Sequence, residues 1–99
     1  MTMLADQVEF VIGVDTHKQA HTAAVVDRVG GVAETFEFAA DPTGYRKVLA
    51  RVAARGGARV WGVEGTGSYG AGLTEFLRKA GEQAVEVERP GRPARRNGA

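Results

Sequence analysis

Residues 11–18 read Val-Ile-Gly-Val-Asp-Thr-His-Lys and contain both the first strand signal and the first candidate acid of the sequence. Its apolar half contains three β-branched residues, a composition typical of a strand that is buried on both faces. The apolar character stops at Asp15, so we expect the first strand over residues 9–14 and a carboxylate at its carboxyl end. In open α/β sheets, ligands bind at that edge of the strands.

Two further strands are predicted directly downstream. Residues 22–26 repeat the apolar signal, and residues 32–38 alternate between apolar and polar side chains. Between them lie Gly30 and Gly31, which adopt the positive φ of a tight turn at little steric cost. The pattern therefore predicts an antiparallel hairpin after the first strand.

The second half of the chain alternates helices and strands. Asp41 and Pro42 predict the start of a helix, because aspartate caps free backbone amides and proline suits the first helical position. Gly56 and Gly57 predict its end. Further along, the sequence predicts a strand over residues 60–63, a loop over 65–70, a helix that ends near 81 and a strand over 84–87.

This order of elements predicts an α/β fold with a mixed sheet. The first three strands are expected to form an antiparallel meander, which is followed by helix, strand, helix and strand. A right-handed helical crossover would set the fourth strand parallel to an earlier one, and a ribonuclease-H-like sheet places it beside the first. We expect an N-terminal extension over residues 1–8, the domain over residues 9–88 and a basic Arg/Pro/Gly tail over residues 89–99.

The composition is that of a single small globular domain. The chain has 99 residues, of which 43% are hydrophobic and 25% charged, so neither disorder nor a fibrous repeat is favoured. The absence of cysteine excludes disulfides, thiolate zinc sites and cysteine nucleophiles. The first ten residues lack a basic signal region, and no apolar run approaches the roughly 18 residues of a membrane helix. We therefore expect a cytoplasmic protein without membrane segments.

Charge is distributed unevenly along the chain. The tail carries four arginines, Arg89, Arg92, Arg95 and Arg96. Of the 13 basic residues, nine then remain against 12 acidic ones, so the body has a net charge of −3 although the whole chain has +1. An arginine cluster with proline and glycine spacers fits contact with a nucleic-acid backbone, although a solvated basic end is the alternative interpretation.

Two acids are the candidate chemical residues. Asp15 follows the first predicted strand and Glu64 follows the fourth, so both are expected at one edge of the sheet. Asp15 alone could cap a turn, but glutamate has no comparable local task at a strand end. Converging carboxylates repel each other unless a cation lies between them, and Mg²⁺ (or Mn²⁺) prefers such oxygen ligands. Asp15 and Glu64 are thus candidate metal-binding and catalytic residues.

The residues around the acids suggest phosphate contacts. The glycines of the loop over residues 65–70 would let the backbone approach a phosphate, while Thr66 and Ser68 offer hydroxyl donors and Lys18 a positive charge. An ordinary strand-to-helix turn is the alternative, since the Gly-Lys-Ser/Thr ending of a Walker loop is missing. His17 and His21 are not expected to share a helical face, which argues against a zinc site.

Residues 11–18 and residues 62–70 resemble the DEDD-type insertion-sequence transposases numbered one-ten (IS110). The resemblance implies a RuvC-like N-terminal domain in which an Asp, a Glu and a later Asp pair bind magnesium. Asp15 and Glu64 match the first two acids. The later pair usually follows a basic stretch similar to residues 89–98, where this sequence stops. We therefore expect a partial RuvC-like domain that lacks two of the four acids.

The resemblance implies DNA transposition by metal-dependent DNA strand cleavage and transfer. Its implied partners are DNA, in some members a structured guide RNA, and either the missing C-terminal half or further copies of the chain. With two acids, the chain is expected to be inactive alone. Two alternatives stay open: a non-catalytic nucleic-acid-binding or inert fragment, and an ATP-binding domain of the actin-like or sugar-kinase type, which also begins with a Gly-x-Asp strand.

Overall fold

The structure, a computed structural model, describes residues 8–65 and 69–87. Five strands and two helices make up this part of the chain. They are β1 (Phe10–Thr16), β2 (Ala20–Asp27), β3 (Val32–Ala39), α1 (Pro42–Ala53), β4 (Arg59–Glu64), α2 (Ala71–Lys79) and β5 (Ala84–Val87). Neither helix is long and apolar enough to cross a membrane.

The five strands form one mixed sheet in the order β3-β2-β1-β4-β5. β1 is antiparallel to β2, and β2 is antiparallel to β3. After α1, the chain returns to place β4 parallel to β1, and after α2 it places β5 parallel to β4. The fold is therefore of the α/β class with a mixed sheet, as the sequence predicts, and β1 lies at its centre.

Both helices pack against the same face of the sheet. Val14 pairs with Ala23 on one side and Val63 on the other, and paired residues project to the same face. The side chains of this face join those of the helices in one core. Its members are Ile12, Val14, Ala23, Val25, Phe38, Tyr45, Val48, Val52, Trp61, Val63, Leu73, Leu77 and Ala84.

Helix α1 begins and ends where the sequence predicts. The Asp41 carboxylate accepts the Gly44 amide hydrogen at 2.8 Å, and Pro42 occupies the first turn. Gly56 and Gly57 follow the helix with φ of 75° and 87°, a conformation that side-chain-bearing residues rarely adopt. Local capping signals thus set the two ends of α1.

The ends of the first strands differ from the prediction. β1 continues to Thr16, because its pairing with β2 runs on to the Thr16–His21 pair. Asp15 is therefore the second-last residue of β1 and does not follow the strand. In the turn after β2, Gly30 alone has a positive φ, since the Asp27 carboxylate accepts the amide of Gly31 and holds it in place.

The predicted domain boundaries at residues 9 and 88 lie close to the first and last residues that the structure describes, 8 and 87. Val8, assigned to the N-terminal extension, is buried, with 7% of its surface exposed. The remainder of that extension, Glu88 and the tail over residues 89–99 lie outside the described residues. The division at residues 9 and 88 stays a prediction.

Candidate metal centre

Asp15 and Glu64 occupy neighbouring positions on adjacent parallel strands. The register of β1 and β4 pairs Gly13 with Gly62 and Val14 with Val63, so the next positions along both strands are Asp15 and Glu64. Neighbouring strands lie about 4.8 Å apart. The two acidic residues therefore reach the same edge of the sheet, side by side.

The alternation of side chains assigns both acids to one face. Val14 and Val63 are almost fully buried under the helices. Because successive residues of a strand project to opposite faces, Asp15 and Glu64 project to the face that the two helices leave uncovered. Both residues are partly exposed. A cation approaching from solvent would thus meet two carboxylates on one surface.

The side chain of Thr16 links the carboxyl ends of β1 and β4 by a hydrogen bond. Its hydroxyl donates a hydrogen bond of 2.8 Å to the backbone carbonyl of Glu64, which lies 48 positions further along the chain. Thr16 is 1% exposed, so water does not compete for this bond. The bond fixes the end of β1 relative to the end of β4, and with it the backbones that carry the acids.

The turn between β1 and β2 lies against Asp15. The His17 ring nitrogen Nε2 is 3.2 Å from the Asp15 carboxylate, and both side chains are about half or more exposed. The backbone amide of His17 donates to Nδ1 of His21 at 3.3 Å. His21 is completely buried, so one end of this turn is attached to the core and the other faces the acid.

The electrostatic state of His21 follows from its burial. Desolvation lowers the pKa of His21, and the nearby His17 acts in the same direction. Hydrogen bonds to the backbone and the charge of Asp15 oppose this shift without cancelling it. A lowered pKa favours the neutral ring, whose Nδ1 lone pair can accept the His17 amide hydrogen.

Gly65 and Gly70 are joined by a hydrogen bond directly after Glu64. Gly65 has a φ of 67°, and its carbonyl accepts the amide hydrogen of Gly70 at 2.8 Å. A Cβ atom on Gly70 would come within 2.6 Å of the Glu64 carbonyl oxygen, so only glycine fits this approach. Gly70 thereby lies against the end of β4 at the point where α2 begins.

Most of the predicted phosphate-binding residues lie outside the described part of the chain. Lys18 is within it and is exposed in the turn between β1 and β2, three positions after Asp15. The others are two loop residues and the four tail arginines, namely Thr66, Ser68, Arg89, Arg92, Arg95 and Arg96. Their roles stay predictions.

The described residues contain no group of three or more His, Cys, Asp or Glu side chains that could hold a metal ion. Asp15 and Glu64 are a pair of potential ligands within this described part of the chain. His17 lies in the turn and His21 on β2, so they do not form a helical zinc pair. The donor set fits a weakly held Mg²⁺ or Mn²⁺ ion.

Sequence reasoning missed the two buried residues that support the acids, Thr16 and His21. A signal for them exists in the alternation of β1 and β2, where each occupies an inward position that is otherwise apolar. A polar residue at such a position requires a buried hydrogen-bond partner. The partners, the Glu64 carbonyl and the His17 amide, could not be read from the sequence.

A second polar cluster lies at the opposite end of β4. Both carboxylate oxygens of Glu82 accept hydrogen bonds from Arg59, at 2.8 and 2.9 Å, and the indole nitrogen of Trp61 donates to the same carboxylate at 2.8 Å. The hydrogen bond from Arg59 lowers the pKa of Glu82 most strongly. Trp61 is fully buried, and this hydrogen bond satisfies its indole N–H within the core.

Comparison with known proteins agrees with the resemblance seen in the two strand-end motifs. No curated protein matches the sequence. A sequence profile of the DEDD transposases of the IS110 group, described as "Transposase", matches residues 12–97. This match spans nearly all of β1, both acids and every later element of the sheet. The chain therefore belongs to the IS110 family of DEDD transposases.

Proposed function

We propose that the chain contributes the first two acids of a divalent-metal site that cleaves and joins DNA strands during transposition. Membership of a transposase family supports a role in transposition, and DNA is the partner that this role implies. The observation that carries the finer proposal is the register of β1 and β4, which brings Asp15 and Glu64 to adjacent positions.

The chemistry of the two acids suits this role. Two carboxylates on one face repel each other, and a divalent cation between them removes the repulsion. A bound Mg²⁺ or Mn²⁺ ion would neutralise a scissile phosphate and orient the attacking and leaving oxygens. Asp15 and Glu64 would hold the ion through one oxygen each or through its water shell. The Thr16 hydrogen bond and the hydrogen bond between Gly65 and Gly70 would keep the backbones of Asp15 and Glu64 fixed during metal binding.

The sheet topology supports a ribonuclease-H-like fold of the RuvC type. Three antiparallel strands are followed by two strands that continue parallel to β1. The acid-bearing strands β1 and β4 are the central neighbours, which brings their carboxyl ends to one edge. This arrangement provides a rigid base on which further acids of the family pattern would complete the site.

Phosphate contacts would surround the metal. Lys18 lies in the exposed turn next to Asp15, where a cation can approach a bound backbone. We assign the hydroxyls of Thr66 and Ser68 to the same task, and the tail arginines at positions 89, 92, 95 and 96 to sequence-independent contact with DNA. A structured guide RNA would be bound through the same lysine and arginine side chains. The proposed location of these events is the cytoplasm.

Two acids leave most coordination positions of a metal ion to water, so we propose that the chain alone does not cut DNA. Cleavage would need further metal ligands, which the later Asp pair of the family pattern would supply. Binding of nucleic acid without catalysis is then the activity that the chain retains by itself.

A nicking assay tests this proposal. Supercoiled and branched DNA would be incubated with Mg²⁺ or Mn²⁺ and the chain, alone or with a downstream segment that carries the later Asp pair. We expect no nicking by the chain alone, and nicking with the segment that Glu64→Gln abolishes. Glu75→Gln on α2, which removes an exposed acid that pairs with Lys79 of the same helix, should leave nicking intact. Strong cleavage by the chain alone, abolished by Glu64→Gln, would contradict the proposal.

A further inference from the structure

His21 is a polar residue in the centre of the core. None of its surface is exposed. Its ring lies nearly parallel to that of Tyr45, with centroids 6.3 Å apart, and meets Phe38 edge to face at 5.4 Å. These neighbours come from α1 and β3, so three separate elements enclose the imidazole. A leucine or phenylalanine would fill such a space without burying polar atoms.

The ring uses one of its nitrogens and leaves the other without a partner. Nδ1 accepts the His17 amide, which places the ring proton on Nε2. The buried Nε2 has no hydrogen-bond partner among the described residues. Burying an unsatisfied donor is unfavourable, so the packing of this residue alone does not account for a histidine here. Besides a backbone hydrogen bond with Ala20 on the same strand, the bond that Nδ1 accepts from the His17 amide is the polar contact that joins this ring to the turn.

That bond controls the segment that contacts the acid. His17 is the first residue after β1, and its backbone amide donates to Nδ1 of His21 at 3.3 Å. Its own ring reaches back to within 3.2 Å of the Asp15 carboxylate. A continuous series of contacts therefore runs from the core, through His21 and the backbone of His17, to the exposed face of Asp15.

We propose that His21 is a positioning residue, which fixes the β1–β2 turn through Nδ1 and thereby holds Asp15 in the orientation that binds a divalent cation. The proposal rests on the metal site of the proposed function. His21 itself touches neither the cation nor the substrate. A side chain that accepts a hydrogen bond at the position of Nδ1 satisfies the requirement, and an apolar side chain of similar size does not.

The first test uses the unaltered chain. The nitrogen chemical shifts of His21, measured by NMR, should show an unprotonated Nδ1 and a protonated Nε2. The His17 amide should exchange with solvent more slowly than the neighbouring amide of Lys18. A protonated Nδ1, or a His17 amide that exchanges as fast as that of Lys18, overturns the proposal before any variant is made.

The second test compares three variants by amide exchange and by titration with Mn²⁺ alone. His21→Leu removes the acceptor, His21→Asn keeps an acceptor two bonds from Cβ, and Val25→Ala removes core volume from the same strand. Relative to the slowest core amides, His21→Leu should speed exchange of the His17 amide about tenfold, the effect of losing one hydrogen bond. It should weaken Mn²⁺ binding about tenfold, as when a group that orients a metal ligand is lost.

The outcomes separate this proposal from the metal site itself. His21→Asn should restore slow exchange and most of the Mn²⁺ affinity, and Val25→Ala should change neither despite its loss of stability. If His21→Leu leaves both measurements unchanged, or if it alters exchange without altering Mn²⁺ affinity, the positioning role is wrong. If the unaltered chain binds no Mn²⁺, the proposed function fails, and the exchange data alone decide whether His21 holds the turn. Should His21→Leu not fold, loss of both properties in a folded His21→Asn still overturns the proposal.

Discussion

The two faces of the sheet differ in what they do for the molecule. The face under α1 and α2 is a closed apolar core, in which Val14 and Val63 are almost fully buried. On the opposite face Val11 and Val85 are about 40% exposed, and a Cβ atom added to Gly13 would meet no atom of the described residues within 4 Å. The same alternation along β1 and β4 thus sends valines into the core and acids to the other side.

The uncovered face is not uniform. Val60, which pairs with Val11, is buried although it projects to this side. At the acidic edge, Val87 pairs with Glu64 and is 42% exposed. Stability and candidate chemistry therefore depend on alternate residues of the same strands, so each can be changed without the other.

The largest expected effect on the free energy of unfolding comes from replacing valine by alanine on opposite faces of the sheet. Val14→Ala removes two fully buried methyl groups and should lower the free energy of unfolding by about 2–3 kcal/mol. Val11, three positions earlier, is 40% exposed, and Val11→Ala should cost less than about 1 kcal/mol. Urea denaturation followed by circular dichroism measures both. Equal losses would mean that the second face is as closely packed as the first.

A smaller effect is expected at the polar cluster far from the acids. Glu82→Gln weakens the bonds to Arg59 and Trp61 and should cost about 1–2 kcal/mol near neutral pH, because it removes the charge that strengthens them. Since the pKa of Glu82 is lowered in the folded state, this contribution is present above the ordinary value of 4.5. It is lost as the pH falls through the folded value.

Unfolding measured between pH 7 and pH 3 checks the sign of this effect. The difference in stability between the unaltered chain and Glu82→Gln should shrink as the pH falls. A difference that grows towards low pH would contradict the assigned bonds. Mn²⁺ affinity should not change, because Glu82 lies at the amino end of β4 and Glu64 at its carboxyl end.

Local signals explain how much of the fold could be predicted. The cap by Asp41, the pair Gly56 and Gly57, and the apolar runs each depend on a few adjacent residues, and the elements that they predict are present. The end of β1 could not be predicted in this way. Thr16 extends the strand because it pairs with His21, and such pairing is decided between segments and not within one.

The candidate site likewise has one part that the sequence indicates and another part that it does not. Asp15 and Glu64 are recognisable in the sequence because each interrupts an apolar run at the end of a strand. The residues that support the acids cannot be recognised in the sequence, since the hydrogen bond from Thr16 to the Glu64 carbonyl joins residues 48 positions apart. The role of His21 depends likewise on which backbone amide its ring meets. Sequence therefore indicates the chemical groups, and tertiary structure determines what holds them.

The central claim is that Asp15 and Glu64 share one divalent cation, and a double-mutant cycle for Mn²⁺ binding tests it most directly. Affinity would be measured by the magnetic resonance signal of free Mn²⁺ for the unaltered chain, Asp15→Asn, Glu64→Gln and the double variant, with Glu75→Gln as control. If one ion needs both carboxylates, each single change should remove most of the binding and the second should add little, so the effects are far from additive. Binding that is unchanged in both single variants, or effects that simply add, would contradict a shared site.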